Sequence, residues 1–433
     1  MASSVERVWN PERSGQLSRK DRRPGRYFAY VPDPLGVELP EVGRDAHAAA
    51  EDALAVLARA DERIGMRGRY LHHLLIRSES ISSSWIEGNR VTPKKLAIAE
   101  LLRRGPRVAL DVVANVRATE DAIDVLADRD RAITTDDLVA LQHVIEPSLA
   151  PGFRAEQNWV GGTGWSPLRA DFVPPPEAEV PRLMRDLAAF VTATDGNPVV
   201  RAAIAHAQFE TIHPFIDGNG RTGRALIHTV LRRTDAVRNS LIPISTVFAG
   251  DTDAYIAGLT AFRDQPQRLD EWVIGFAEAA ELAAENAVRL AAEVVSLDAA
   301  LSDQLVAFRR ARGLSPAQPR RDAAVLRILS DLASDPVMTV DSVAARLGVT
   351  TAAAHRALVQ LHDAGILGRT KDQRGRLVCW TADRHLDLVA LTERSNRVAG
   401  RDTRVTKPRL GPPRPDRPAG APGTAIDAHE LEE

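Results

Sequence analysis

The sequence predicts a mainly α-helical protein in which a short β-hairpin interrupts a helical domain and a small winged helix-turn-helix domain follows. Three observations carry that expectation. Apolar residues recur at three- and four-residue spacing through most of positions 45 to 312, as they do when one face of a helix is buried. Between 152 and 173 the spacing changes to alternation around a run of glycines, the pattern of paired strands. Past a Gly- and Pro-rich break at 313–319, two short helical patterns flank Gly348 and two strand-like runs follow.

Composition bounds the function. At 433 residues, with 44% hydrophobic and 5% aromatic content, the chain can form two or three domains with sizeable cores. A formal net charge of −2 argues against bulk electrostatic capture of nucleic acid or of an anionic membrane, although a local basic face is compatible with it. Cys379 stands alone, so no intrachain disulfide can form, which fits a reducing compartment. The opening residues lack the apolar centre of a signal peptide and charges interrupt every long apolar stretch, so the expected location is the cytoplasm.

Residues 1–44 hold one apolar patch, Tyr27 to Val31, among Pro, Arg, Asp and Gly, and read as an ordered arm packed on the main domain. An N-terminal helical region spans 45–110. Its first helix runs from Asp45 to Ile64, with Ala49, Leu54, Val56, Leu57 and Ile64 spaced for burial. The second runs from about Gly68 to Glu87, with Leu71, Leu74, Leu75, Ile81 and Trp85 inward; Gly88 supplies the left-handed residue that ends it. Thr92 and Pro93 open a third helix that reaches about Arg103. Ser83 and Glu87, four apart, share one helical face just before the glycine turn. Taken alone, Glu87 reads as a solvated glutamate near the unfavourable end of the helix dipole.

The next region, 111–312, continues with helices from Asp111 to Asp128 and from Thr135 to Ile145, the latter capped by Thr134 with Asp137 three residues on. The hairpin follows, its turn falling at Val160, Gly161, Gly162, Thr163 and Gly164. Three prolines then start a helix near Val180 to Asp195.

The densest signal is the twelve-residue string from His213 to Arg224, which contains Asp217, Gly218, Asn219, Gly220 and Arg221. Val200, Ala203, Ile204 and Ala207 before it and Ala225, Leu226, Ile227, Val230 and Leu231 after it fall at helical spacing, so the string is a loop between two helices. The glycines allow a sharp turn and close approach to a ligand, and the free N–H groups opening the second helix form an anion cradle. His213 titrates near neutrality and suits general-base work. Asp217 offers a hard oxygen to magnesium, Asn219 can donate to a phosphate oxygen, and Arg221 and Arg224 bring forked, permanent positive charge. Two other readings compete. Gly218 to Gly223 matches a dinucleotide fingerprint, but no strand precedes it. His213 and Asp217 could join His206 or Glu210 around a metal, but Pro214 breaks the helical face such a site needs.

The string resembles the signature of the Fic family, H-P-F-x-[D/E]-G-N-G-R-x-x-R, with every position filled, and the resemblance covers roughly residues 30 to 312. It implies a Fic-type helical domain that transfers AMP from ATP to a hydroxyl side chain of a target protein and releases pyrophosphate. By that resemblance His213 is the base, Asp217 the Mg2+ ligand, Asn219 the α-phosphate contact, and Arg221 and Arg224 the β- and γ-phosphate contacts. Ser83-x-x-x-Glu87-Gly88 is similar to the family's inhibitory motif, which implies pairing of Glu87 with Arg224. The hairpin at 160–164 would be the flap that holds the target by strand addition. Two alternatives stay open: removal of AMP from a modified protein in the same pocket, and a nucleotide-sensing DNA-binding regulator. Self-modification and a homodimer are compatible with each.

After the string, Ile242 to Ser245 reads as an extended link, Thr252 to Arg263 as a helix and Asp270 to about Arg312 as a long amphipathic helix. Residues 313–319 read as a linker. In 320–395 a helix at Arg321 to Ala333 precedes a Thr339-capped helix, the Gly348 turn, a helix from Thr350 to Ala364, and two strands near Gly365 to Arg369 and Arg376 to Trp380. The segment is similar to a winged helix. As a DNA reader it would use Thr351, His355 and Arg356, with Lys371 and Arg374 on phosphates; as a protein-contact module it would need none of them. Residues 396–433, rich in Arg, Pro and Gly, read as disordered.

Overall fold

The computed structural model describes residues 2–10, 23–65, 70–162, 166–264, 267–372, 375 and 377–395. The arm is itself a hairpin. Strand β1 (Ser3–Trp9) pairs antiparallel with β2 (Gly25–Val31), Ser3 opposite Val31 and Trp9 opposite Gly25. Alternation along β2 buries Tyr27, Ala29 and Val31, and the first two cluster with Val173.

Five helices follow: α1 (Arg44–Gly65), α2 (Tyr70–Ile86), α3 (Pro93–Leu102), α4 (Arg107–Asp124) and α5 (Thr135–Ile145). The local signals act where expected. Gly88 has φ +83° beyond α2, Thr92 caps α3 with Pro93 in its first turn, and Thr134 and Asp137 make a reciprocal capping box on α5. Helix α4 starts and ends four residues earlier than the sequence spacing indicated, because Pro106 opens it.

Helices α6 (Val180–Thr192), α7 (Pro198–Ile212), α8 (Asn219–Arg233), α9 (Ser245–Gly250), α10 (Thr252–Arg263) and the 43-residue α11 (Leu269–Ala311) complete the main body. Helix α7 lies at its centre, against α1, α6, α8, α10 and α11. Every residue from Val199 to Ile212 is buried, so the one-sided stripe expected there is in fact a helix buried all round. The segment 242–245, expected to be a plain link, leads directly into α9.

The expected hairpin at 152–173 is corrected. Among the described residues one antiparallel bridge forms, Val160 with Phe172, and a 3-10 turn at Pro167–Arg169 lies on the return path. Prolines 167 and 174–176 have no N–H to give a ladder, so the alternation does not become two strands. Thr163 and Gly164 lie outside the described residues.

Beyond Gly313 come α12 (Ala324–Ser330), β3 (Val337–Met338), α13 (Val340–Leu347), α14 (Thr351–Asp363), β4 (Gly368–Lys371), β5 (Val378–Thr381) and α15 (Asp383–Ser395). The strands form an antiparallel sheet in the order β3-β5-β4, and Gly348 makes the left-handed turn between α13 and α14. This unit has its own core, to which Leu301 and Leu305 at the far end of α11 contribute.

The C-terminal unit also packs on the first body. Ala97 of α3 clusters with Val337, Cys379 and Leu386, while Ile98, Leu101 and Leu102 flank them. Lys94 Nζ donates to Asp383 at 2.8 Å, Arg104 Nη2 to Asp372 at 3.0 Å, and Arg77 Nη1 to the Ser334 carbonyl at 2.6 Å. Helix α15, which the sequence reading did not anticipate, touches α2, α3, α9 and α11. Among the described residues no helix is long and apolar enough to cross a membrane.

Candidate active site

Helix α7 ends at His213, whose φ of +48° is a left-handed value that few non-glycine residues adopt. The chain turns through Pro214 to Asp217, and Gly218, at φ +83°, starts α8. Asn219 holds this loop shut: its Oδ1 accepts from Phe215 N at 2.9 Å and its Nδ2 donates to the Phe215 carbonyl at 2.8 Å. Bracing the turn uses its oxygen and one of its two amide hydrogens, beside the backbone N–H groups that open α8.

Two residues that the sequence reading missed anchor the other side. Arg154 Nε donates to the His213 carbonyl at 2.9 Å and its Nη2 to the Pro175 carbonyl at 2.5 Å. Asn158 Nδ2 reaches the carbonyls of His213 (3.2 Å) and Phe215 (3.0 Å). Both belong to the segment read as the flap hairpin, where nothing in the sequence signals that Arg154 is buried and Asn158 half-buried.

Burial, with Arg154 and Arg263 nearby, pushes the His213 imidazole down to about 3, so it is neutral at pH 7. Its Nδ1 lies 3.9 Å from Glu210 Oε2. Burial drives Glu210 the other way, up to about 7, despite opposition from Arg224 and Arg263. His206 does not join a metal cluster with these groups. It is fully buried, with Nε2 2.8 Å from the Tyr255 hydroxyl, and burial pushes it down to about 3. The metal alternative built on His206 is therefore not what the fold assembles, and no group of three His, Cys, Asp or Glu among the described residues is arranged to hold a metal. Asp217 is the carboxylate of the loop, about one-third exposed, with Oδ1 accepting from Gly218 N at 2.6 Å. A single carboxylate fits an ion that takes most of its ligands from phosphates and water, as magnesium does, and not a protein-built cage.

The two arginines in the first turns of α8, Arg221 and Arg224, are both buried and both paired. Arg221 Nη2 meets Glu146 Oε1 at 2.5 Å and lies 3.8 Å from Asp217 Oδ1. Glu146, just past α5, was not singled out in the sequence. Arg224 donates from Nε to Ser83 Oγ (2.9 Å) and from Nη2 to the Ser83 carbonyl (2.9 Å) and Glu87 Oε1 (2.8 Å). Burial alone would lower the Arg224 guanidinium, but the charges of Glu87, Tyr255 and Glu210 outweigh it and hold it above its ordinary value. The end of α2 thus meets the start of α8. Gly220 makes the approach possible, since a Cβ there would collide with Glu87 Oε1 and stand 2.8 Å from Arg224 Nη1.

These groups open on a cleft of about 1120 Å³, lined by Glu87, His213, Asp217 to Arg221 and Arg224, and also by Val160, Phe172 and residues of β2. Gly161 and Gly162 turn beside it with φ +77° and +69°. The DNA-reading candidates are elsewhere: Thr351, His355 and Arg356 are exposed on α14 and Lys371 on β4, with the His355 ring edge-on to Trp380 at 6.4 Å. Arg374 lies outside the described residues.

Residues 132–231, from just before α5 to near the end of α8, match the Fic/DOC family. This segment is a Fic domain. The chain is 30% identical over 201 residues to a protein adenylyltransferase Fic of Drosophila grimshawi, covering 44% of this chain and 38% of the relative. It is 27% identical over 237 residues to the Aedes aegypti protein of the same name, covering 52% and 43%. It thus spans about two-fifths of the length of these curated relatives. Among solved structures, a Fic family protein from Desulfovibrio desulfuricans aligns at 22% identity and TM-score 0.45, over 80% of this chain and 98% of the other. A Fic domain signalling protein from Bacteroides thetaiotaomicron aligns at 17% and 0.43, over 57% and 97%.

Proposed function

We propose that the chain is a self-inhibited protein adenylyltransferase, which moves AMP from ATP to a Tyr, Ser or Thr hydroxyl of a target protein. The hydroxyl oxygen attacks the α-phosphorus, the bond from that phosphorus to the bridging oxygen of the β-phosphate breaks, and pyrophosphate leaves. The hydroxyl proton goes to His213, which is neutral and free to accept it. The N–H groups opening α8 and the guanidiniums of Arg221 and Arg224 receive the phosphates, where charge stabilisation matters most. Asp217 would hold magnesium, whose charge offsets that of the phosphates. The names of the relatives support the reaction class.

One observation carries the inhibition. Glu87 occupies Arg224 across the gap left by Gly220, and a guanidinium bound there cannot also hold the outermost phosphate. ATP then binds with its α-phosphate misaimed. A hydrogen bond to a charged group is worth about 1.5–3 kcal/mol, and a tenfold change in population about 1.4 kcal/mol, so release amounts to roughly ten- to a hundredfold.

The test compares parent protein, Glu87→Gly and His213→Ala with labelled ATP at saturating magnesium, alone and with a cell lysate, followed by mass spectrometry. Glu87→Gly should raise self-labelling and target labelling by that factor, and His213→Ala should bind Mg-ATP without transfer. Equal labelling by Glu87→Gly and parent would reduce the α2 contact to a helix end. Release of AMP from a labelled protein would favour the reverse reaction, and sequence-specific DNA protection without labelling would favour a nucleotide-sensing regulator.

A further inference from the structure

We propose that the outward face of β2 is a recognition wall for the polypeptide that presents its hydroxyl to His213, and that it selects a bulky apolar side chain close to that hydroxyl. The inference deepens the adenylyltransferase reading and rests on it. Strand β2 lies outside the Fic domain, yet Arg26, Phe28 and Tyr30, its alternate outward residues, all line the catalytic cleft. Phe28 is 61% exposed there, and Ile216 of the catalytic loop, in the same cleft, is 46% exposed. Large apolar side chains left open at a catalytic cleft mark a contact surface.

The wall is fixed to the catalytic machinery. Tyr30 N donates to the Val173 carbonyl at 2.9 Å, joining β2 to the return path of the flap. The Tyr30 ring lies 6.0 Å from that of Phe172, which in turn carries the Arg263 guanidinium 4.1 Å from its centroid. The inward face of β2 supplies the packing with Val173, so Phe28 is not needed to hold the strand in place.

Volume and placement decide the occupant. The groups proposed to bind the nucleotide open α8, while β2, Val160 and Phe172 line the same cleft from other segments of the chain. A cleft of about 1120 Å³ exceeds the roughly 300–1,000 Å³ of a single small-molecule pocket, which leaves room for a second occupant beside the nucleotide. Only a polypeptide can place a hydroxyl at His213 and an apolar side chain on Phe28 together. Phe28 is two residues, about 7 Å, along the strand from Tyr30, so the selected side chain should fall within about three residues of the hydroxyl.

The test uses the full chain carrying Glu87→Gly, with labelled ATP and a synthetic library of peptides that each contain one Tyr, Ser or Thr between randomised flanks. Labelled peptides should be enriched in large apolar residues within about three positions of the hydroxyl. Adding Phe28→Ser should raise KM for the best peptide about tenfold, the low end of what burying a large apolar side chain is worth. It should leave the Kd for Mg-ATP and the thermal midpoint unchanged, and Phe28→Leu should restore most of the loss. Unchanged enrichment and KM in Phe28→Ser would overturn the wall, and weaker Mg-ATP binding would reassign it to the nucleotide base. Absence of any labelled peptide, together with no self-labelling by Glu87→Gly, would instead overturn the transfer reaction on which the wall depends.

Discussion

His213 is the residue whose chemistry was most legible in the sequence and whose environment was least so. Its place in the loop marked it as the candidate base. Burial first, and then Arg154 and Arg263, keep it neutral, and all of these come from other segments and leave no local trace. The consequence for stability has a definite sign. His206 and His213 are depressed to about 3, so between about pH 3 and 6.5 the unfolded chain binds protons that the native protein refuses, and stability falls as pH falls through that window. Glu210, raised to about 7, does the opposite between its ordinary value and pH 7. Two groups oppose one, so the thermal midpoint should rise from pH 4.5 to 6.5, and His213→Ala should flatten that slope. An unchanged slope in scanning calorimetry would mean that His213 titrates normally in the fold.

At the scale of the element, α2, which supplies the proposed inhibitory contact, shows most plainly where spacing misleads. Its run from Ser78 to Ser84 is polar enough to suggest solvent, yet Ser78, Glu79, Ser80, Ser82, Ser83 and Ser84 are all buried. Their partners are on other helices: Asn115 Nδ2 of α4 donates to the Ser80 carbonyl at 3.0 Å, and Ser245 of α9 gives Glu79 its N–H at 2.9 Å and its hydroxyl at 2.5 Å. His228 Nε2 of α8 stands 3.1 Å from Glu79. Burial alone would raise Glu79, but His228 and Ser245 hold it below the usual carboxylate range. Glu79→Ala, which strands both partners, should cost about 3–5 kcal/mol in denaturant unfolding, and Glu79→Gln should cost less. A loss under 1 kcal/mol would show that α2 is not anchored there. The helices placed to the residue, α5 and α10, have their caps, Thr134 and Asp251, beside them in the sequence, while α1 and α11 were placed within one residue by periodicity. The pairing within the flap, α9 and α15 depend on contacts far along the chain, and those were misjudged.

For the whole molecule, the unit beyond residue 319 acts as a brace as well as a domain. Ending the chain after Arg312 removes the partners of Arg77, Lys94 and Arg104 and uncovers Ala97, Leu101 and Leu102 on α3. The shortened protein keeps the first core and should still bind Mg-ATP, but it should melt at a lower temperature than the full chain. Equal melting temperatures would mean that the α3 interface contributes nothing in solution. The Glu87–Arg224 pair joins positions 137 residues apart, and on the proposed inhibition Gly220 determines how heritable change can undo it. A point change at 87 removes the carboxylate and leaves the phosphate ligand untouched. A change at 220 evicts the same carboxylate but also crowds Arg224, so it costs nucleotide grip in the act of release. Lineages that shed the inhibition while keeping the chemistry should therefore carry their lesion in α2, and position 220 should stay glycine even where Glu87 has gone.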